Sequence, residues 1–180
     1  MLESEKALKI LSDADEICSA TKVSAAVKRV AEEITTSLSG ECPLVLGVMG
    51  GAVVFTGQLL TQLIFPLEFD YIHVSRYGAD THGGEINWRV GPKQNVEGRI
   101  VLVLDDILDE GHTMAAIRER VMNQGAKAFY SAVFADKMIG KSKPIEADFV
   151  GIKLPNRFVF GFGMDVEGAW RNLPAIYAMK

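Results

Sequence analysis

Two cysteines, three histidines and six prolines in 180 residues leave little room for several kinds of chemistry. Cys18 and Cys42 do not form a metal-type pair, and reduced thiols in a cytoplasmic setting are the simplest reading of them. His73 and His82 fall at no metal-ligand spacing. No basic block is present and the formal net charge is −4, which speaks against a nucleic-acid partner. The opening "MLESEKALKILSDADE" carries too many acids for a secretory leader. No internal repeat or low-complexity linker interrupts the chain.

Charge itself is missing from Pro43 to Leu67, "PLVLGVMGGAVVFTGQLLTQLIFPL". By length that run could span a bilayer. Gly47, Gly50 and Gly51 break it, and Thr56, Gln58, Thr61 and Gln62 fill its second half. A buried strand, a glycine turn and a mostly buried helix explain it better, so no membrane partner is expected.

What is present is a core. Hydrophobic residues make up 48% and charged residues 23%, which fits one globular domain over residues 1–180. Val23, Val27, Val30, Ala31, Ile34 and Leu38 recur at helical spacing before Gly40. Strands are expected at Pro43–Met49, Leu67–Tyr77, Arg99–Leu104, Ala128–Asp136 and Asp148–Leu154. Helices are expected from Ala52 to Ile64 and from Thr113 to Gln124, the latter closed by Gly125. Residues 78–98 are glycine-rich and polar, a long loop or loose hairpin of the kind that makes a lid. Aliphatic strands alternating with helices predict an α/β fold with a mainly parallel sheet, whose ligands bind beyond the carboxyl ends of the strands.

At one such end the chain reads "VLVLDDILDEGHT", Val101–Thr113. Four acids fall between Asp105 and Glu110. One would suffice to cap the next helix. A calcium loop fails because Ile107 and Glu110 stand where an oxygen ligand and a glycine are needed. A phosphoacceptor receiver would carry its acids after the first strand, although Lys143-Pro144 superficially completes that set. A phosphorylated sugar uses every residue. Asp105 and Asp106 accept from two adjacent ribose hydroxyls, and the amides opening the next helix form an anion site. Gly111 allows close approach of the backbone, and Thr113 adds a hydroxyl.

This stretch resembles the motif by which type I phosphoribosyltransferases bind 5-phosphoribosyl-1-pyrophosphate. "GVMGGAVVFTGQLL" (Gly47–Leu60) is similar to their pyrophosphate loop and "SRYG" (Ser75–Gly78) to the base of their lid. "FADK" (Phe134–Lys137) and "RFVFGFGMDVEGAWRNLP" (Arg157–Pro174) resemble the purine-binding segments of the hypoxanthine-guanine branch. The resemblance implies a core of about residues 40–155, a small hood from about 1–20 and 156–180, and a lid over about 78–98. It implies purine salvage: transfer of the phosphoribosyl group to hypoxanthine or guanine, with Mg2+ as cofactor, in a cytoplasmic homodimer or homotetramer.

Residue by residue, the resemblance gives the ribose phosphate to Asp105, Asp106, Asp109, Glu110, Gly111, His112 and Thr113. Pyrophosphate falls to Met49, Gly50, Gly51 and Arg171, with Met49–Gly50 a cis peptide when ligand is bound. The metal falls to Asp105, Asp106 and Asp165, and the lid to Ser75, Arg76 and Tyr77. The purine falls to Lys137, Phe158, Val159 and Asp165. Asp109 matches the catalytic carboxylate that takes or shares the purine N7 proton; His112 is an alternative base, but its matching position varies in the family and it reads as a loop residue. Lys137 donates and cannot accept, which favours a 6-keto purine over adenine. Phe158 either stacks on the purine or is plain core. Arg171 either orients Asp165 or pairs with pyrophosphate. Glu110 departs from the Thr of many members, and Gly50 from the Lys of some. Rival readings are transfer to xanthine or a pyrimidine, or a non-catalytic sensor of the sugar phosphate.

Overall fold

The computed structural model describes residues 3–76 and 86–180. Chain order is α1 (Ser4–Asp13), β1 (Asp15–Cys18), α2 (Ala20–Leu38), β2 (Leu44–Met49), α3 (Val53–Leu60) and β3 (Glu68–Arg76). There follow β4 (Ile86–Val90), β5 (Ile100–Leu108), α4 (His112–Asn123), β6 (Ala128–Met138), β7 (Phe149–Pro155), β8 (Val159–Phe160) and β9 (Ile176–Ala178).

Six strands form the main sheet in the order β4-β3-β2-β5-β6-β7. All neighbours run parallel except β4, which turns back against β3. Side chains alternate across a strand, so each strand feeds two cores. On β5, Leu102 and Leu104 face the core of α2 and α3, packing with Val30, Ile34, Phe55 and Leu59. Val101 and Val103 face the opposite core with Met114, Ile117 and Val121 of α4. The expected α/β fold with a parallel sheet and helices on both faces is what the chain adopts.

A second sheet, β1-β9-β8, joins the two ends of the chain. It shares the first core: Phe162 packs on Phe134 of β6 with ring centroids 4.4 Å apart. Cys18, Val159, Ile176 and Ala178 extend the same cluster.

Two boundaries differ from expectation by four residues. Helix α3 stops at Leu60 rather than Ile64, because Thr61 Oγ1 and Gln62 Nε2 both bond back to the Gln58 carbonyl. Strand β5 runs on to Leu108, four residues past the expected Leu104, because its ladder with β6 continues through Leu108↔Asp136. Its other neighbour stops pairing earlier, at Gly47↔Leu104. Asp105 and Asp106 therefore lie inside the strand, on a stretch paired on one side only. Of the two alternatives for the glycine-rich 78–98 segment, the described part takes the hairpin: β4 turns back on β3, paired as Ser75↔Asn87 and Val74↔Trp88.

The foot of that hairpin is fastened by Asp70, a buried residue of β3. Its carboxylate accepts from the backbone N–H of Tyr71 (2.8 Å), Lys93 (2.7 Å) and Gln94 (3.2 Å). Burial works to raise its pKa; these donors and the Lys93 charge outweigh it, and the carboxyl is held below its usual value. A depressed folded pKa stabilises above the ordinary value of about 4 and ceases to do so as pH falls through the lower folded value. Asp70→Asn is expected to lose about 1–3 kcal/mol of stability at neutral pH. Its melting curve should converge with that of the parent chain in acid, as followed by thermal denaturation across pH.

Candidate active site

The order of the main sheet reverses between β2 and β5: from β2 the chain steps to β3 on one side and to β5 on the other. A crevice opens at the carboxyl ends of two such strands. Met49, Gly50 and Gly51 leave β2 there, and Asp105 and Asp106 stand opposite on β5. The Met49–Gly50 peptide is cis.

Packing in the crevice is close. A Cβ on Gly51 would lie 1.9 Å from Asp106 Oδ2, and one on Gly163 would lie 2.1 Å from the Gly51 carbonyl oxygen. Gly163 has φ +100°, a region that suits glycine. Three stretches remote in sequence thus meet with no room for a methyl group.

Asp105 and Asp106 are half-buried neighbours. Asp105 Oδ1 accepts from the Asp106 N–H, and Asp106 Oδ1 from the Ile107 N–H, each at 2.9 Å. Burial first, and then the charge of Asp106, push the Asp105 carboxyl well above its usual range. Burial also raises Asp106, partly offset by its bonds to Asp105 and Ile107 and by the nearby Arg171 charge. Two desolvated carboxylates side by side favour a cation or a set of hydroxyl donors.

Beyond them the chain turns into α4. Gly111 is the cap residue at φ +83°, buried, with no side-chain capping bond. Its Cα face rests on Lys143, Pro144 and Ile145, whose side-chain atoms would lie 3.3–3.5 Å from an added Cβ. The first amides of a helix have no acceptor within it and carry the positive end of its dipole. Asp105–Gly111, Thr113 and Met114 line a cavity of about 360 Å³ in front of this turn. His112 is exposed and Thr113 half-buried on the first turn.

Asp109 sits half-exposed at the lip of the cavity, and its Oδ2 accepts from Lys137 Nζ at 2.8 Å. Glu110 pairs with Lys141 at 3.1 Å. Deeper, Lys143 Nζ bonds both Asp136 Oδ1 (2.5 Å) and the Leu108 carbonyl (2.6 Å). On the terminal side, Arg171 Nη2 meets Asp165 Oδ1 at 2.5 Å and its Nη1 donates to the Gly163 carbonyl. Asp165 Oδ2 accepts from the Gly168 N–H at 2.7 Å. In this geometry Arg171 braces the Gly163–Asp165 loop. Val159 is buried in β8, and Phe158 just before it is 54% exposed. Ser75 Oγ is buried and finds no hydrogen-bond partner among the described residues. Arg76 ends β3, and Tyr77 lies outside the described residues.

Among the described residues, no three His, Cys, Asp or Glu side chains converge as a metal cluster. The Asp105–Asp106 pair stands apart from Asp165, whose two oxygens are both engaged. Sequence patterns assign no site role to Lys141 or Gly163 and offer Lys143 only within the rejected receiver set. The two lysines look like solvated loop charges, and nothing in "GFG" tells which glycine touches Gly51.

Together, a parallel sheet, an acidic crevice at its switch point and a glycine turn at a helix start make up the architecture of the site. Residues 13–167 match the phosphoribosyl transferase domain, and the chain belongs to that family. Within it, the chain is 36% identical to the hypoxanthine-guanine phosphoribosyltransferase of Bacillus subtilis, over 86% of each. It is 39% identical, over 86% of its own length, to the bifunctional protein TilS/HprT of Listeria monocytogenes serotype 4b, strain F2365. It spans only 24% of that longer protein. A hypoxanthine phosphoribosyltransferase structure from Staphylococcus aureus superposes with a TM-score of 0.89 at 26% identity, covering 99% of this chain and 97% of that one. No helix of the described residues is long and apolar enough to cross a membrane.

Proposed function

We propose that this chain transfers the phosphoribosyl group of 5-phosphoribosyl-1-pyrophosphate to hypoxanthine or guanine, giving IMP or GMP and pyrophosphate. The observation that carries the reading is the Asp109–Lys137 pair at the lip of the acidic cavity. It joins a proton acceptor to a donor suited to a 6-keto group, beside a place for the ribose.

In this reading Asp105 and Asp106 accept from the ribose hydroxyls, and the turn at Gly111 takes the 5′-phosphate. The amides after the Met49–Gly50 peptide face the pyrophosphate. The bond from the anomeric carbon to pyrophosphate oxygen breaks with its electron pair leaving on oxygen, and a purine ring nitrogen bonds to the carbon. The proton on N7, the imidazole nitrogen that does not form the new bond, is taken or shared by Asp109, which must first give up its ion pair with Lys137. Lys137 then turns its ammonium to the purine 6-oxygen. Val159 and Asp165 offer carbonyls to guanine's amino group, and Phe158 is free to lie against the ring. Exclusion of water from the reacting sugar falls to the lid that starts at Ser75, whose residues 77–85 lie outside the described residues.

The half-buried Asp105–Asp106 pair fits a hard cation that keeps most of its waters, and it would hold magnesium through them. Magnesium supplies charge neutralisation for the departing pyrophosphate. Asp165 would join only after releasing Arg171 or the Gly168 amide. A homodimer or homotetramer accompanies this reading, supported by the exposed Val53, Ile64, Phe69 and Tyr71 around α3 and β3. A cytoplasmic setting is supported by the free thiols of Cys18 and Cys42.

The test is product formation with magnesium, the sugar pyrophosphate and each purine in turn. Hypoxanthine and guanine should turn over, and adenine and xanthine far more slowly. Adenine turning over as fast as hypoxanthine would remove Lys137 from its role. Tight binding of the sugar pyrophosphate with no turnover of any base would favour the sensor.

A further inference from the structure

The geometry points to Lys143 as a positioning residue for the transfer reaction, holding Asp109 and Lys137 at their working separation. The inference rests on the function proposed above.

Strands β5 and β6 run side by side, and their last register pair before the site is Leu108↔Asp136. Each member of that pair is followed directly by a reacting group: Asp109 after Leu108, Lys137 after Asp136. The Lys143 ammonium bridges this one rung, reaching the Leu108 carbonyl at 2.6 Å and Asp136 Oδ1 at 2.5 Å. Both members of the Lys143–Asp136 pair are shielded, at 11% and 24% exposed, whereas in the Asp109–Lys137 pair Lys137 is shielded at 13% but Asp109 meets water at 51%. A shielded charge-assisted bond holds its geometry where an exposed pair is loosened by water and salt. The outer pair, Asp109–Lys137, must open during each turnover. The inner pair lies behind the cavity lip and stays closed while the outer one works.

The same residue also backs the phosphate turn, but by a different part. Its Cβ, with Pro144 and Ile145, rests on the Cα face of Gly111. The stem supports the turn and the ammonium fixes the rung, so the two contributions can be separated by substitution.

Lys143→Met keeps the stem and removes the ammonium. With hypoxanthine as substrate, kcat is expected to fall about tenfold to a hundredfold from misplacement of the reacting groups, while calorimetric affinity for the sugar pyrophosphate stays within about threefold. Removing one partner of a shielded pair also destabilises the fold by leaving a charge uncompensated. The double variant Asp136→Asn/Lys143→Met carries no such charge, so it decides the matter should the single variant fail to fold. If Lys143 positions the reaction, the double variant regains its melting temperature but not its kcat. Recovery of kcat along with stability would overturn the inference, since a purely structural pair predicts it. So would an unchanged kcat in a folded single variant, or an equal loss of sugar-pyrophosphate affinity. Failure of the parent chain to turn over hypoxanthine would instead sink the proposed function, and this inference with it.

Discussion

Asp109→Asn is expected to lower kcat for hypoxanthine by about a hundredfold or more, the usual contribution of a positioned base. Asparagine keeps the shape of Asp109, and its amide oxygen can still accept from Lys137. What disappears is the capacity to take a proton. In the proposed reading the sugar pyrophosphate is held by Asp105, Asp106 and the Gly111 turn rather than by this side chain's charge, so its affinity should change little. Single-turnover rates measured beside calorimetric affinity separate the two. Asp109 enters the bond-forming step already paired with Lys137 at 2.8 Å. That pair holds its oxygen at the mouth of the cavity until the purine's 6-oxygen draws the ammonium away. Unchanged turnover in the variant would take Asp109 out of the base role and move attention to His112, exposed one turn further on.

Gly51→Ala should be nearly as damaging, by a different route. Gly51 does not have positive φ, so alanine meets no backbone penalty there. The cost comes from Asp106, whose Oδ2, Cγ and Oδ1 would lie 1.9, 2.5 and 2.9 Å from the new Cβ. The carboxylate has to rotate away and surrender its bond to the Ile107 N–H. Loss of one charge-assisted contact to the ribose amounts to about tenfold to a hundredfold in affinity for the sugar pyrophosphate. Calorimetry with magnesium present reads this directly, and melting temperature should stay near that of the parent chain. Gly163→Ala is the useful contrast. At φ +100° and 2.1 Å from the Gly51 carbonyl, it strains backbone against backbone and should cost folding first. Undiminished affinity in Gly51→Ala would mean that Asp106 does not touch the ribose.

The residues that could be read in the sequence are those whose role follows from local spacing. The aliphatic run of β5, the helical stripe of α2 and the acid-then-glycine order of Asp105–Gly111 each announce themselves within a dozen positions. The terminal strands do not. Strand β8 has two residues, too few for a periodic trace, and α1, though amphipathic, buries no side chain. Strand β5 outran its expected end because the ladder with β6, not the aliphatic pattern, decides where it stops. Lys143 and Lys141 are legible only in three dimensions. Each finds its acid partner across the β5–β6 strand ends, 7 and 31 positions away respectively. A one-dimensional pattern has no means of pairing them.

The order of the small sheet has a consequence for how the molecule comes into being. Its middle strand, β9, follows every other described element in chain order, while β1 precedes all but α1. On the ribosome β1 must wait, its hydrogen bonds turned to water, until residues 176–178 have been made. The stretch carrying Asp165 and Arg171, which lies between β8 and β9, can then settle only after β9 has emerged. A nascent chain stalled before residue 176 would hold the main sheet complete and the small one without its middle strand.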